Sequence, residues 1–119
     1  MEASSPGAPL SIDRHALNAG GVRLALAGEL DLATMKLFER ELERVAASEQ
    51  RVVLDLRRLQ FIDSTGLHAV LRADQRLAEA GGRLTIIRGP RAVERLFGLT
   101  GLDTRLRIVG PEEVELDDG

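Results

Sequence analysis

Cysteine, tryptophan and tyrosine are missing from this 119-residue chain, and Phe38, Phe61 and Phe97 are its only aromatic residues. The absence of thiols excludes disulfide frameworks, zinc ribbons and thiol nucleophiles, and is compatible with a reducing, cytoplasmic location. So few rings leave little on which bases would stack, which argues against single-stranded nucleic acid as a partner. No run approaches the ~20 apolar residues of a membrane-crossing helix. The first residues also lack the basic-then-apolar order of a signal peptide, so no membrane span is expected. Lysine is nearly absent too. Of 16 basic residues only Lys36 is Lys, and 19 acids bring the net charge to −3. The acids concentrate at the end (Glu112, Glu113, Glu115, Asp117, Asp118), leaving a mildly basic body in which the two signs are interleaved. That pattern does not make a nucleic-acid groove, and no direct nucleic-acid contact is expected.

What remains is the material of one ordinary α/β domain. Residues 1–9 are small, polar and proline-bearing, and read as a disordered lead-in. The domain is expected over 10–110, and 111–119 reads as an acidic tail. Val22, Leu24 and Leu26 fall at period two, the mark of a strand with one packed face, and Asn18-Ala19-Gly20-Gly21 before it is turn chemistry. A strand around Leu10 to Leu17 completes a hairpin. From Leu32 to Ala47, Met35, Phe38, Leu42 and Val45 make a helical stripe, with Asp31 as its expected N-cap. Val52-Val53-Leu54, then Leu56 after Asp55, predict a strand buried on both sides. Arg57 and Arg58 read as a solvated turn or as charge contacts to a partner. A second helix carries Leu67, Val70, Leu71, Leu77 and Ala78 on one face and ends at Gly81-Gly82. Leu84 to Ile87 is a further strand, Pro90 opens a third helix with Val93, Leu96 and Phe97 inward, and Leu106 to Val109 is a last short strand. This order gives a small mixed β-sheet, an N-terminal hairpin joined to parallel strands, with helices packed on it.

The chemistry-bearing stretch is Phe61-Ile62-Asp63-Ser64-Thr65-Gly66-Leu67, where the buried strand ends and the second helix begins. The carboxyl end of a central strand is the usual place for function in an open α/β sheet. Asp63 or Ser64 caps the helix, and a phosphate placed on an exposed hydroxyl there would meet backbone N–H donors and the positive end of the helix dipole. Gly66, inside the first turn, costs ~1 kcal/mol relative to Ala, a cost accepted if another chain approaches the backbone closely. The plain alternative is a good cap and a loop remnant. Gly28-Glu29-Leu30-Asp31 is the second candidate. If it emerges on the same edge, Asp31 and Asp63 flank Ser64 and could position its hydroxyl or hold the Mg²⁺ of an incoming nucleotide. Alone, Glu29 and Asp31 read as a solvated acid and a cap. Ser64 and His68 share one helix face, which raises an esterase reading. The nucleophile elbow is absent, however, and the His lies a turn down the same helix. No Walker loop, G-x-G-x-x-G or metal-ligand spacing occurs, so no cofactor, metal or catalytic residue is expected.

Together and in order, Gly28-Glu29-Leu30-Asp31, Val53-Leu54-Asp55-Leu56, Phe61 to Leu67, and Val93 to Leu102 (VERLFGLTGL) resemble the STAS domain of bacterial anti-sigma-factor antagonists, from about Leu10 to about Val109. The resemblance implies a non-enzymatic partner switch. The unphosphorylated antagonist binds an anti-sigma factor with serine kinase activity, which frees the sigma factor. Phosphorylation of Ser64 releases the antagonist, and a phosphoprotein phosphatase restores it. Glu29, Asp31, Asp63, Ser64, Thr65 and Gly66 are then the partner-binding residues. The family commonly closes with a further amphipathic helix, which the short acidic PEEVELDDG leaves in question. A small STAS subunit of a lipid-transport or stress-signalling assembly is the runner-up reading, and a Ser64-dependent esterase the remote one.

Overall fold

In the strand Val22–Leu30, Val22, Leu24, Leu26 and Leu30 are buried while Arg23, Ala25, Ala27 and Glu29 are partly exposed. Successive side chains of a strand point to opposite faces, so one face of this strand is packed and the other partly open. The computed structural model describes residues 9–114, in the order β1 (Ser11–Ala16), β2 (Val22–Leu30), α1 (Met35–Ala46), β3 (Arg51–Ile62), α2 (Ser64–Glu79), β4 (Arg83–Ile87), α3 (Arg91–Thr100) and β5 (Ile108–Val109). Short 3₁₀ turns follow α3 and β5, at Leu102–Thr104 and Pro111–Glu113. The lead-in expected over 1–9 falls, apart from the exposed Pro9, outside the described residues, as does the tail beyond Val114.

The sheet is mixed, in the spatial order β1-β2-β3-β4-β5. β1 runs antiparallel to β2, with Ile12 opposite Leu26, and the remaining neighbours are parallel. The hairpin turn needs its glycines. Gly20 and Gly21 both have positive φ, and a Cβ on Gly21 would stand 2.4 Å from the Arg51 carbonyl oxygen. An L side chain there would be strained in conformation and blocked in space.

All three helices bury their stripes in one continuous core. Phe38, Leu42 and Val45 of α1, Leu67, Val70 and Leu77 of α2, and Val93 and Phe97 of α3 join Leu24, Leu54 and Ile86 of the sheet. Full burial of such a side chain contributes about 1.5–3 kcal/mol, so this layer dominates stability. In α2 the inward face also takes Ala69 and Ala73, while Leu71 is half-buried and the expected Ala78 is exposed. The opposite sheet face carries a smaller cluster of Leu17, Val53, Ile87, Val109 and Val114. Val53 is thus covered by loop and chain-end residues, not by a helix, and packing continues past residue 110 to Val114.

Three local expectations need correction. Helix α1 starts at Met35 with Thr34 as N-cap, not at Leu32 with Asp31 as cap. β3 runs on through Arg57 and Arg58 to Ile62, so those arginines are strand residues beside a register shift and not a turn. The last strand shrinks to Ile108–Val109.

Candidate functional site

Leu30 and Ile62 are in register at the carboxyl ends of β2 and β3. Asp31 and Asp63 therefore leave the sheet side by side on adjacent strands, which lie ~4.8 Å apart. The two turns are joined directly, because the Asp63 N–H donates to the Leu30 carbonyl at 3.3 Å.

Asp63 is the N-cap of α2. Its Oδ1 accepts from the Gly66 N–H at 2.9 Å, which satisfies one of the orphan donors of the first turn. Its Oδ2 faces the Leu32 N–H at 3.4 Å and so reaches the β2–α1 turn. Asp31 organises that turn. Its Oδ1 accepts from the backbone N–H groups of Ala33 (3.0 Å) and Thr34 (3.2 Å), as Asp does in a turn that competes with helix. Thr34 locks the segment by donating its hydroxyl to the Glu29 carbonyl at 2.8 Å and accepting from the Asp31 N–H at 3.0 Å. This is why the helix begins after Thr34. The D-x-x-T spacing was the available signal for it. Both carboxylates of the expected pair thus position backbone, and no group of three or more potential metal ligands occurs among the described residues.

Ser64 is the first residue of α2 and is exposed. The structure brings Asp63, Ser64 and Thr65 together with the Glu29–Asp31 turn at one edge of the sheet. Glu29, Asp31, Asp63 and Thr65 are each partly exposed. Gly66 differs. It is buried, and a Cβ there would lie 2.4 Å from the Leu30 carbonyl oxygen and 2.9 Å from Ile62 Cγ1. The chain that approaches Gly66 is its own β2 end, which replaces the expected close approach by a partner. His68 is exposed one turn along α2, and no hydrogen bond joins it to Ser64 among the described residues. Both side chains are thus solvent-facing at the start of α2.

Phe61 belongs to the stretch singled out from the sequence, but its exposure and that of Leu32, an apolar frame at this edge, are not expected from it. Leu32 is 72% exposed in the turn that touches Asp63, and Phe61 is 47% exposed just before the cap. Hydrophobicity counts cannot find such residues, because whether a leucine is covered is decided by tertiary packing.

Asp55, earlier on β3, is a second charged centre on the far sheet face. Its Oδ2 accepts from Arg23 Nη1 at 3.0 Å and from Arg57 Nη2 at 2.7 Å, and its Oδ1 accepts from Arg57 Nε at 3.0 Å. Burial by itself pushes the Asp55 carboxyl up. The Arg57 hydrogen bonds and the charges of Arg57 and Arg23 outweigh it, holding the carboxyl below its ordinary value.

With this geometry in place, comparison with known proteins is decisive for the family. The family described as "Mlab, STAS domain" matches residues 14–110. The chain belongs to the STAS-domain family, within the group of anti-sigma-factor antagonists. It is 31% identical over 85 residues to the anti-sigma F factor antagonist of Paenibacillus polymyxa, a match covering 70% of this chain and 73% of that one. The fold superposes with a TM-score of 0.77 on an anti-sigma factor antagonist from Mycobacterium paratuberculosis, at 26% identity, covering 92% of this chain and 89% of that one. The Bacillus cell fate determinant SpoIIAA in its phosphorylated form shares the fold at TM-score 0.66 and 21% identity, covering 87% of this chain and 95% of that one. No helix among the described residues is long and apolar enough to cross a membrane.

Proposed function

We propose that this chain is a cytoplasmic anti-sigma-factor antagonist switched by phosphorylation of Ser64. Unphosphorylated, it docks an anti-sigma factor with serine kinase activity through the edge formed by Glu29, Asp31, Asp63, Ser64 and Thr65, and so frees a sigma factor. Gly66 supports that edge from beneath. The kinase transfers phosphate from ATP to the Ser64 hydroxyl, the complex separates, and a phosphoprotein phosphatase resets the chain. No cofactor is held by the antagonist, and it catalyses nothing itself.

The observation that carries this reading is an exposed hydroxyl at the first position of α2, set among acids at the sheet edge. The relatives named as antagonists support it, as does the existence of SpoIIAA in a phosphorylated form. The physics needs no refolding. A phosphate brings about −1.5 to −2 charges. A like charge ~4 Å away costs ~4 kcal/mol at an effective dielectric of ~20, which is roughly a thousandfold in affinity. The amino end of α2 and the acids beside Ser64 act on the dianion in the free chain and in the complex alike, so the like charge that weakens docking is one on the partner's surface. Incubation with ATP and the anti-sigma-factor kinase of the same genome, followed by peptide mass spectrometry, tests the assignment. Phosphate on Ser64 supports it; phosphate that persists on Ser64→Ala and maps to Thr65 refutes it.

A further inference from the structure

Beside the acceptor serine, the end of β3 and α3 enclose a groove of about 300 Å³ walled by Phe61, Ile62, Val93, Leu96 and Leu99, with Arg95 at its rim. Two of its apolar residues face water, Phe61 at 47% and Leu99 at 73% exposure. Removing such apolar surface from water is favourable, so the groove is a ready source of binding energy. Its charge is one-sided. Arg91, Arg95 and Leu99 follow one another at helical-turn spacing along α3, and neither arginine is in an ion pair among the described residues. The only acid of α3, Glu94, turns inward, where its Oε2 accepts from the Gly89 N–H at 2.9 Å. The outer face of α3 is therefore apolar and cationic, with no acid of its own.

We propose that the β3–α3 groove seats an amphipathic helical segment of the anti-sigma factor, apolar on the face it inserts and acidic along the flank that meets Arg91 and Arg95. The inference rests on the function proposed above and adds the chemistry of the partner. Apolar anchors in a groove supply affinity, and complementary charges at the rim fix orientation. Phe61 and Ile62 immediately precede the cap residue Asp63, so the β3 wall of the groove is continuous in the chain with the turn that carries Ser64. The groove holds the partner, and the serine decides whether it stays.

The test is an NMR titration of the full ¹⁵N-labelled chain with a synthetic helical peptide carrying leucines at i, i+3 and i+7 flanked by glutamates. A control peptide has lysine at every glutamate. The acidic peptide is expected to shift amides of residues 60–62 and 92–99 and to bind at least tenfold more tightly than the lysine peptide. Leu99→Ser and Arg95→Glu, both at exposed positions, are each expected to weaken it at least tenfold. No shift at millimolar peptide, shifts confined to other surfaces, or equal affinity for the two peptides overturns the proposal. Leu99-dependent pelleting with phosphatidylglycerol vesicles overturns it in favour of a membrane patch. A wild-type dimer that becomes monomeric as Leu99→Ser overturns it in favour of a second copy. Phosphate transfer to Ser64, measured in parallel, separates the two claims: transfer without a peptide response removes the groove alone, and a peptide response without transfer removes the Ser64 assignment alone.

Discussion

Asp55 and Asp63 leave the same stretch of chain, one within β3 and one immediately after it, and they do opposite work. Asp55 is buried on the far face and holds two guanidinium groups. Asp63 is half-exposed and holds backbone N–H groups of two turns. The first carboxylate is tied to charges, so its removal takes an ion-pair partner from both arginines and costs folding energy. The second is tied to amides of the α2 first turn and of the β2–α1 turn, beside Ser64. In this fold the acid inside the sheet holds charges, and the acid at the strand end holds the turns around Ser64.

The sharpest way to separate the two regions is by what each substitution leaves untouched. Ser64→Ala should abolish phosphate incorporation, at least a hundredfold by mass spectrometry, while the unfolding free energy stays within about 0.5 kcal/mol of wild type, as for other exposed substitutions. Asp55→Ala should do the reverse. Breaking a buried ion pair costs about 3–5 kcal/mol by urea unfolding, with Ser64 still phosphorylated wherever the chain is folded. A pH series sharpens this further. The folded Asp55 carboxyl lies below its unfolded value, so its contribution is fully present above about pH 4. It is lost as pH falls through the folded value, and Asp55→Asn should flatten that acid loss. A stability curve identical to wild type below pH 4 would show that the arginines do not hold the carboxyl as described.

Smaller effects belong to the edge. Gly66→Ala should destabilise by about 1–3 kcal/mol, because its Cβ meets the Leu30 carbonyl and the two strand ends must part. A neutral result would mean that the backbones are not in close approach there. Asp63→Ala should cost only about 1 kcal/mol, as for other lost N-caps, while Asp63→Asn keeps most of the cap. If Asp63→Ala instead destabilised as much as Asp55→Ala, the distinction between the two acids would fail.

Much of the architecture was legible because it is local. Period-two leucines in β2, the Phe38-Leu42-Val45 stripe and the glycines after α2 each state their element in a short window. The cap at Asp63 and the exposed place of Ser64 follow from the same strand-to-helix logic. What escaped the sequence depends on distant neighbours. The start of α1 is set by Thr34 bonding back to Glu29 and Asp31. The length of β3 depends on pairing to β2 across two register shifts. Gly66 is explained by a carbonyl on another strand, and the exposure of Leu32, Phe61 and Leu99 by what fails to cover them. Arg57 looks like a turn residue until Asp55 is seen to need a partner.

The central claim is that charge on one side chain decides docking. Isothermal titration of the anti-sigma-factor kinase with the unmodified chain and with the same chain phosphorylated on Ser64 measures it directly. The account predicts binding at least a hundredfold weaker for the phosphorylated chain, with an unchanged far-ultraviolet spectrum. Equal affinity of the two forms would contradict it.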